Sequence, residues 1–142
     1  LLPRLLREKG VAFENNPNLD IREYIHDMPD CLAAADLVIA RAGAMTLAEL
    51  TALGRASVLI PSPNVAENHQ YHNAMVLENH HAAVVIEEKD LTGEKLAETV
   101  RRLTDDPEKL RQLGLAAKAL GTPDACGRIT DELMKLYEAR KK

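Results

Sequence analysis

At 142 residues the chain is one domain long, and its 46% apolar and 28% charged content is enough for a substantial core. A net charge of -4 with three Tyr, one Phe and no Trp argues against a nucleic-acid surface, which needs a basic face and stacking rings. No apolar run approaches twenty residues and no charged-then-apolar leader is present, so the sequence predicts neither a membrane span nor a signal peptide.

In chain order, residues 1–9 read as the end of a helix stopped at Gly10. Leu19-Asp-Ile-Arg-Glu-Tyr24 alternates like a strand, and residues 28–35 form a short helix with Pro29 in its first turn, where a missing N–H costs nothing. Further strands are predicted over 36–40, 57–60 and 82–86, with helices over 46–53 and 67–79 between them. Strands separated by helices imply parallel pairing. From Leu91 onward three helices are predicted, over 92–104, 107–120 and 123–140, broken at Asp105-Asp-Pro107 and Gly121-Thr-Pro123. The expected fold class is therefore α/β, a Rossmann-like parallel sheet with flanking helices. No strand precedes the first helix, where a doubly wound sheet places its first glycine-rich loop, so the first strand is expected to be missing.

Two junctions stand out. Asp36-Leu-Val-Ile-Ala40 runs through Arg41-Ala-Gly43 into a helical pattern, and Ser57-Val-Leu-Ile60 runs through Pro61-Ser-Pro-Asn-Val-Ala-Glu-Asn-His-Gln70 into another. A strand that enters a helix through a small turn leaves backbone N–H groups unpaired at the positive end of the helix dipole, where a phosphate would sit. Two such loops on one sheet edge make a ligand cleft.

The runs Tyr24-Ile-His-Asp-Met-Pro-Asp30, Leu32 to Leu50 and Pro61 to Gln70 closely resemble the C-terminal domain of the MurG-type N-acetylglucosaminyltransferases, glycosyltransferase family 28. The resemblance implies the C-terminal, nucleotide-sugar (donor) binding half of a GT-B fold with a helical tail over 1–142, its acceptor domain and first donor-domain glycine loop absent. It implies transfer of N-acetylglucosamine from UDP-N-acetylglucosamine to the lipid-linked muramyl-pentapeptide intermediate of peptidoglycan synthesis, at the inner face of the bacterial membrane. The undecaprenyl-linked acceptor and the membrane surface would be met by the missing domain.

Carried over by the same resemblance, Ile25 presents backbone groups to the uracil and Met28 packs near it. Gly43, Ala44, Met45 and Thr46 offer N–H groups to the pyrophosphate, Glu49 accepts from the ribose hydroxyls, and His69, Gln70 and Asn73 face the sugar. Relatives with two successive glutamines differ from this chain at His69. The resemblance also implies inversion at the anomeric carbon and a base in the missing half, so no catalytic residue is assigned here.

Other readings stand beside these. Thr46-Leu-Ala-Glu49 is also a capping box, with Thr46 as cap and Glu49 reaching back. Met28 and Met45 read by default as core filler, and His80-His81 as groups for terminal carbonyls. Cys31 and Cys126 fit no CxxC spacing and read as reduced, packed thiols of a cytoplasmic protein. His69 and His72 lack a third ligand, and there is no Asp-x-Asp motif, so neither a metal nor a cofactor is expected. Alternative functions are the donor subunit of a split transferase, a nucleotide-sugar epimerase, or a non-catalytic nucleotide-sugar-binding module.

Overall fold

A computed structural model describes residues 2–140 apart from Asn15. Leu1, predicted as helix, and Lys141 and Lys142 lie outside the described residues. Helix α1 (Leu2–Glu8) stops ahead of Gly10, which takes the left-handed conformation at φ 68°. Helix α2 (Met28–Ala34) carries Pro29 in its first turn, as predicted. Then follow β1 (Leu37–Ala40), α3 (Ala44–Leu53), β2 (Ala56–Leu59), α4 (His69–Asn79) and β3 (Val84–Val85). Helices α5 (Gly93–Thr104), α6 (Pro107–Leu120) and α7 (Ala125–Ala139) complete the chain.

The three strands form one parallel sheet in the order β1-β2-β3, with Leu37 opposite Ala56 and Val58 opposite Val84. All four residues of β2 are buried, the signature of a strand covered on both faces. Alternation divides them: Ala56 and Val58 join a cluster with Ile86, Leu103 and Leu113, while Leu59 joins Leu32, Ala42, Leu47, Leu50, Leu77 and Ala117.

Glycines set two close approaches. Gly54 ends α3 in the left-handed conformation at φ 66°, and Arg55 N–H then bonds the Leu50 carbonyl at 2.9 Å. Helix α6 presses on that turn at Gly114, where a Cβ would lie 2.6 Å from the Gly54 carbonyl oxygen.

Three predicted elements differ. Residues 19–24 form no strand, because a strand needs a ladder partner and here none of the described strands pairs with them. Arg22 instead gathers the segment, with two bonds to Asp20 and one to Asp27 at 2.7 Å, and Leu19 and Ile21 stay exposed. The carboxyl of Asp20 is held below its ordinary range by the Arg22 hydrogen bond. The helix expected from residue 67 begins at His69, because Glu67 and Asn68 are both left-handed at φ 52° and 53°. The capping box at Thr46 is absent: α3 begins two residues earlier with Gly43 as its N-cap, so Thr46 already lies in the first turn. Side-chain caps are found where α5 and α6 begin, from Thr92 to the Lys95 N–H and from Asp106 to the Lys109 N–H.

Among the described residues no helix is long and apolar enough to cross a membrane.

Candidate functional site: the strand-end loops

Parallel pairing brings the ends of β1, β2 and β3 to one edge, so residues 41–43, 60–68 and 86–90 lie side by side. Adjacent carbonyl edges with helix starts behind them are where open α/β sheets bind ligands.

The first loop delivers Gly43 as the N-cap of α3 at φ -70°, ψ 145°, with no side chain capping the helix. The first helical bond runs from the Leu47 N–H to the Gly43 carbonyl at 3.0 Å, so Ala44, Met45 and Thr46 N–H groups have no acceptor within the helix. A Cβ on Gly43 would meet nothing nearer than the Thr46 hydroxyl at 4.0 Å. The fold does not need glycine there, and the space before the helix is open. Met45 is 76% exposed, which removes it from the core-filler reading. Glu49, one turn on, is exposed, and its side chain makes no hydrogen bond or ion pair within the described chain.

In the second loop, the Gln70 side-chain carbonyl accepts the Ser62 N–H at 3.0 Å, and the Ser62 hydroxyl in turn accepts the Asn64 N–H at 3.4 Å. His69 Nδ1 lies 2.9 Å from the Ala66 carbonyl; a carbonyl only accepts, so Nδ1 donates there and Nε2 is left free for a ligand. Asn73, half-buried, follows one turn along α4. Consecutive left-handed residues at Glu67 and Asn68 cost on the order of 1–3 kcal/mol each unless the surroundings hold them. The Gln70 and His69 contacts tie both sides of that kink.

The third loop carries Glu87, Glu88 and Lys89. With Pro61, Pro63, Asn68 and Tyr71 they line a groove between the second and third loops. Glu87 lies 3.0 Å from Lys89 Nζ and holds that ammonium above its ordinary range.

Of the predicted site residues, Gly43 to Glu49 share one helix start, and His69, Gln70 and Asn73 share the next. Ile25 and Met28 stand apart, at the approach to and start of α2; their helix joins the others through Leu32, which shares a core cluster with Ala42 and Leu47. Arg41 was missed by sequence reasoning: its Nη1 donates to the Ile60 carbonyl at 3.3 Å and pairs with Glu88, linking all three loops. Its signal was a charge set between an apolar strand and the Ala42-Gly43 turn. No group of three or more His, Cys, Asp or Glu suited to a metal ion occurs among the described residues.

The model of the glycosyltransferase family 28 C-terminal domain matches residues 5–129. A Desulforamulus reducens protein named UDP-N-acetylglucosamine--N-acetylmuramyl-(pentapeptide) pyrophosphoryl-undecaprenol N-acetylglucosamine transferase is 45% identical over 124 residues, 87% of this chain and 33% of that protein. Its namesake in Bacillus subtilis is 45% identical over 131 residues, 92% of this chain and 35% of that protein. The crystal structure of Acinetobacter baumannii MurG matches with a TM-score of 0.79 at 27% identity, covering 93% of this chain and 39% of that one. The chain thus spans about a third of the length of the curated relatives it matches. Fold and sequence agree on one assignment: this chain belongs to glycosyltransferase family 28, as its C-terminal domain, with the Rossmann-like half of the GT-B architecture.

Proposed function

We propose that this chain is the donor-binding domain of an inverting transferase that moves N-acetylglucosamine from UDP-N-acetylglucosamine onto the lipid-linked muramyl-pentapeptide intermediate of peptidoglycan synthesis. The observation that carries the reading is the identity to proteins named for that reaction, over about nine-tenths of this chain. In this reading Ile25 and Met28 meet the uracil, Glu49 accepts from the ribose hydroxyls, and the Gly43, Ala44, Met45 and Thr46 turn meets the diphosphate. His69, Gln70 and Asn73 face the sugar.

The chemistry asks for little proton transfer from this domain. Attack on the anomeric carbon expels a diphosphate, so negative charge grows on the leaving group in the transition state. Fixed N–H dipoles at the start of α3 stabilise that charge without reorganising. The base for the acceptor hydroxyl, the lipid-linked acceptor and peripheral attachment to the inner face of the cell membrane belong to the rest of the full-length protein.

Calorimetry on the full-length protein tests the donor assignment. UDP and UDP-N-acetylglucosamine are expected to bind and AMP to bind far more weakly; equal affinity for UDP and AMP overturns the reading.

A further inference from the structure

The two halves of the proposed donor site sit on different loops, and among the described residues the backbone ties them only at their roots. The last backbone bond between the first two loops runs from the Ile60 N–H to the Ala40 carbonyl at 2.9 Å, and the Ile86 N–H closes the third onto the Leu59 carbonyl at 3.0 Å. Beyond these bonds the loops diverge, one toward Gly43 and α3, another toward Gln70 and α4. One side chain then continues the cross-link. Arg41 Nη1 reaches over to the Ile60 carbonyl and to the Glu88 carboxylate, so a guanidinium two residues before Gly43 holds both neighbouring loops. Glu88 is also a wall of the groove formed with Pro61, Asn68 and Tyr71, beside the start of α4.

We propose that Arg41 and Glu88 form a clasp that sets the distance between the diphosphate-facing start of α3 and the sugar-facing start of α4, making Arg41 a positioning residue for the sugar of the donor. The inference rests on the donor-site reading above. Its consequence is selective. Groups for the uracil, ribose and diphosphate lie at the approach to α2, on its first turn and at the start of α3, on one side of the clasp, whereas His69, Gln70 and Asn73 lie across it. Loosening the clasp costs the affinity that the sugar adds and leaves UDP binding in place. Arg41 and Glu88 are both partly exposed, so the effect is modest.

The test compares UDP with UDP-N-acetylglucosamine on the full-length protein carrying Glu88→Gln, Arg41→Gln, Arg41→Lys and the Arg41→Gln/Glu88→Gln double variant. Glu88→Gln and Arg41→Gln should each raise the KM for UDP-N-acetylglucosamine by about three- to tenfold, with UDP inhibition within about twofold of wild type. The double variant should be no worse than either single one, and Arg41→Lys should recover most of the loss. A loss of UDP and sugar-nucleotide affinity in equal measure, with a lowered Tm in Glu88→Gln, would make the pair a structural brace only. Arg41→Gln abolishing UDP binding while Glu88→Gln leaves it intact would put Arg41 on the diphosphate itself. Either result overturns the clasp, as does unchanged behaviour in all four variants. If wild type itself fails to distinguish UDP from AMP, it is the donor-site reading that falls.

Discussion

The Gln70 side-chain carbonyl accepts the Ser62 N–H at 3.0 Å, so the residue expected to face the sugar also anchors the loop before its own helix. Both amide N–H groups and the second lone pair of that carbonyl remain for a ligand, so Gln70 can donate to a sugar hydroxyl while it holds Ser62. Gln70→Glu keeps the acceptor for Ser62 and removes the donor, whereas Gln70→Ala removes both. Gln70→Glu is expected to keep the wild-type Tm yet lose preference for UDP-N-acetylglucosamine over its galactose epimer as fully as Gln70→Ala. A wild-type preference in Gln70→Glu would assign the side chain to loop anchoring alone.

Gly43 gives a second prediction, because its open surroundings allow a side chain while its N-cap position rewards one. Serine is a better N-cap than glycine by a few tenths of a kcal/mol and would satisfy N–H groups that the diphosphate otherwise takes. Gly43→Ser should therefore raise or preserve the Tm and weaken UDP binding at least tenfold. Thermal melts with calorimetry on the same sample check both halves.

Glu49 is free of the capping role that its spacing suggested, since α3 starts before Thr46. Glu49→Gln should leave the Tm unchanged and weaken UDP by roughly 1.5–3 kcal/mol, the range for a hydrogen bond to a charged group. A drop in Tm with a normal donor KM would return the residue to a purely structural part.

Gly114 tests the packing that supports the site from behind. A methyl group there would lie 2.6 Å from the Gly54 carbonyl oxygen, and backbone cannot yield as a flexible side chain does. Gly114→Ala should cost about 1–3 kcal/mol in chemical denaturation despite alanine's higher helix propensity. An unchanged midpoint would mean that α6 shifts without cost.

Local chemistry determined much of this protein from sequence. Pro29 marked a helix start, the apolar run over 57–60 marked a strand, and the small turn at Ala42-Gly43 marked an open helix start; each depends on neighbours within a few residues. Tertiary structure decided what depends on distant partners. Residues 19–24 alternate like a strand but have no ladder to join, so Arg22 and its carboxylates shape them instead. Glu67 and Asn68 turn left-handed where Gln70 and His69 hold the loop back on itself, an arrangement absent from a helical periodicity. Arg41 acquires its part only when parallel pairing sets Ile60 and Glu88, 19 and 47 residues away in sequence, beside it. Periodicity and propensity report on the near chain, whereas a side chain that crosses between strand ends is placed by the sheet.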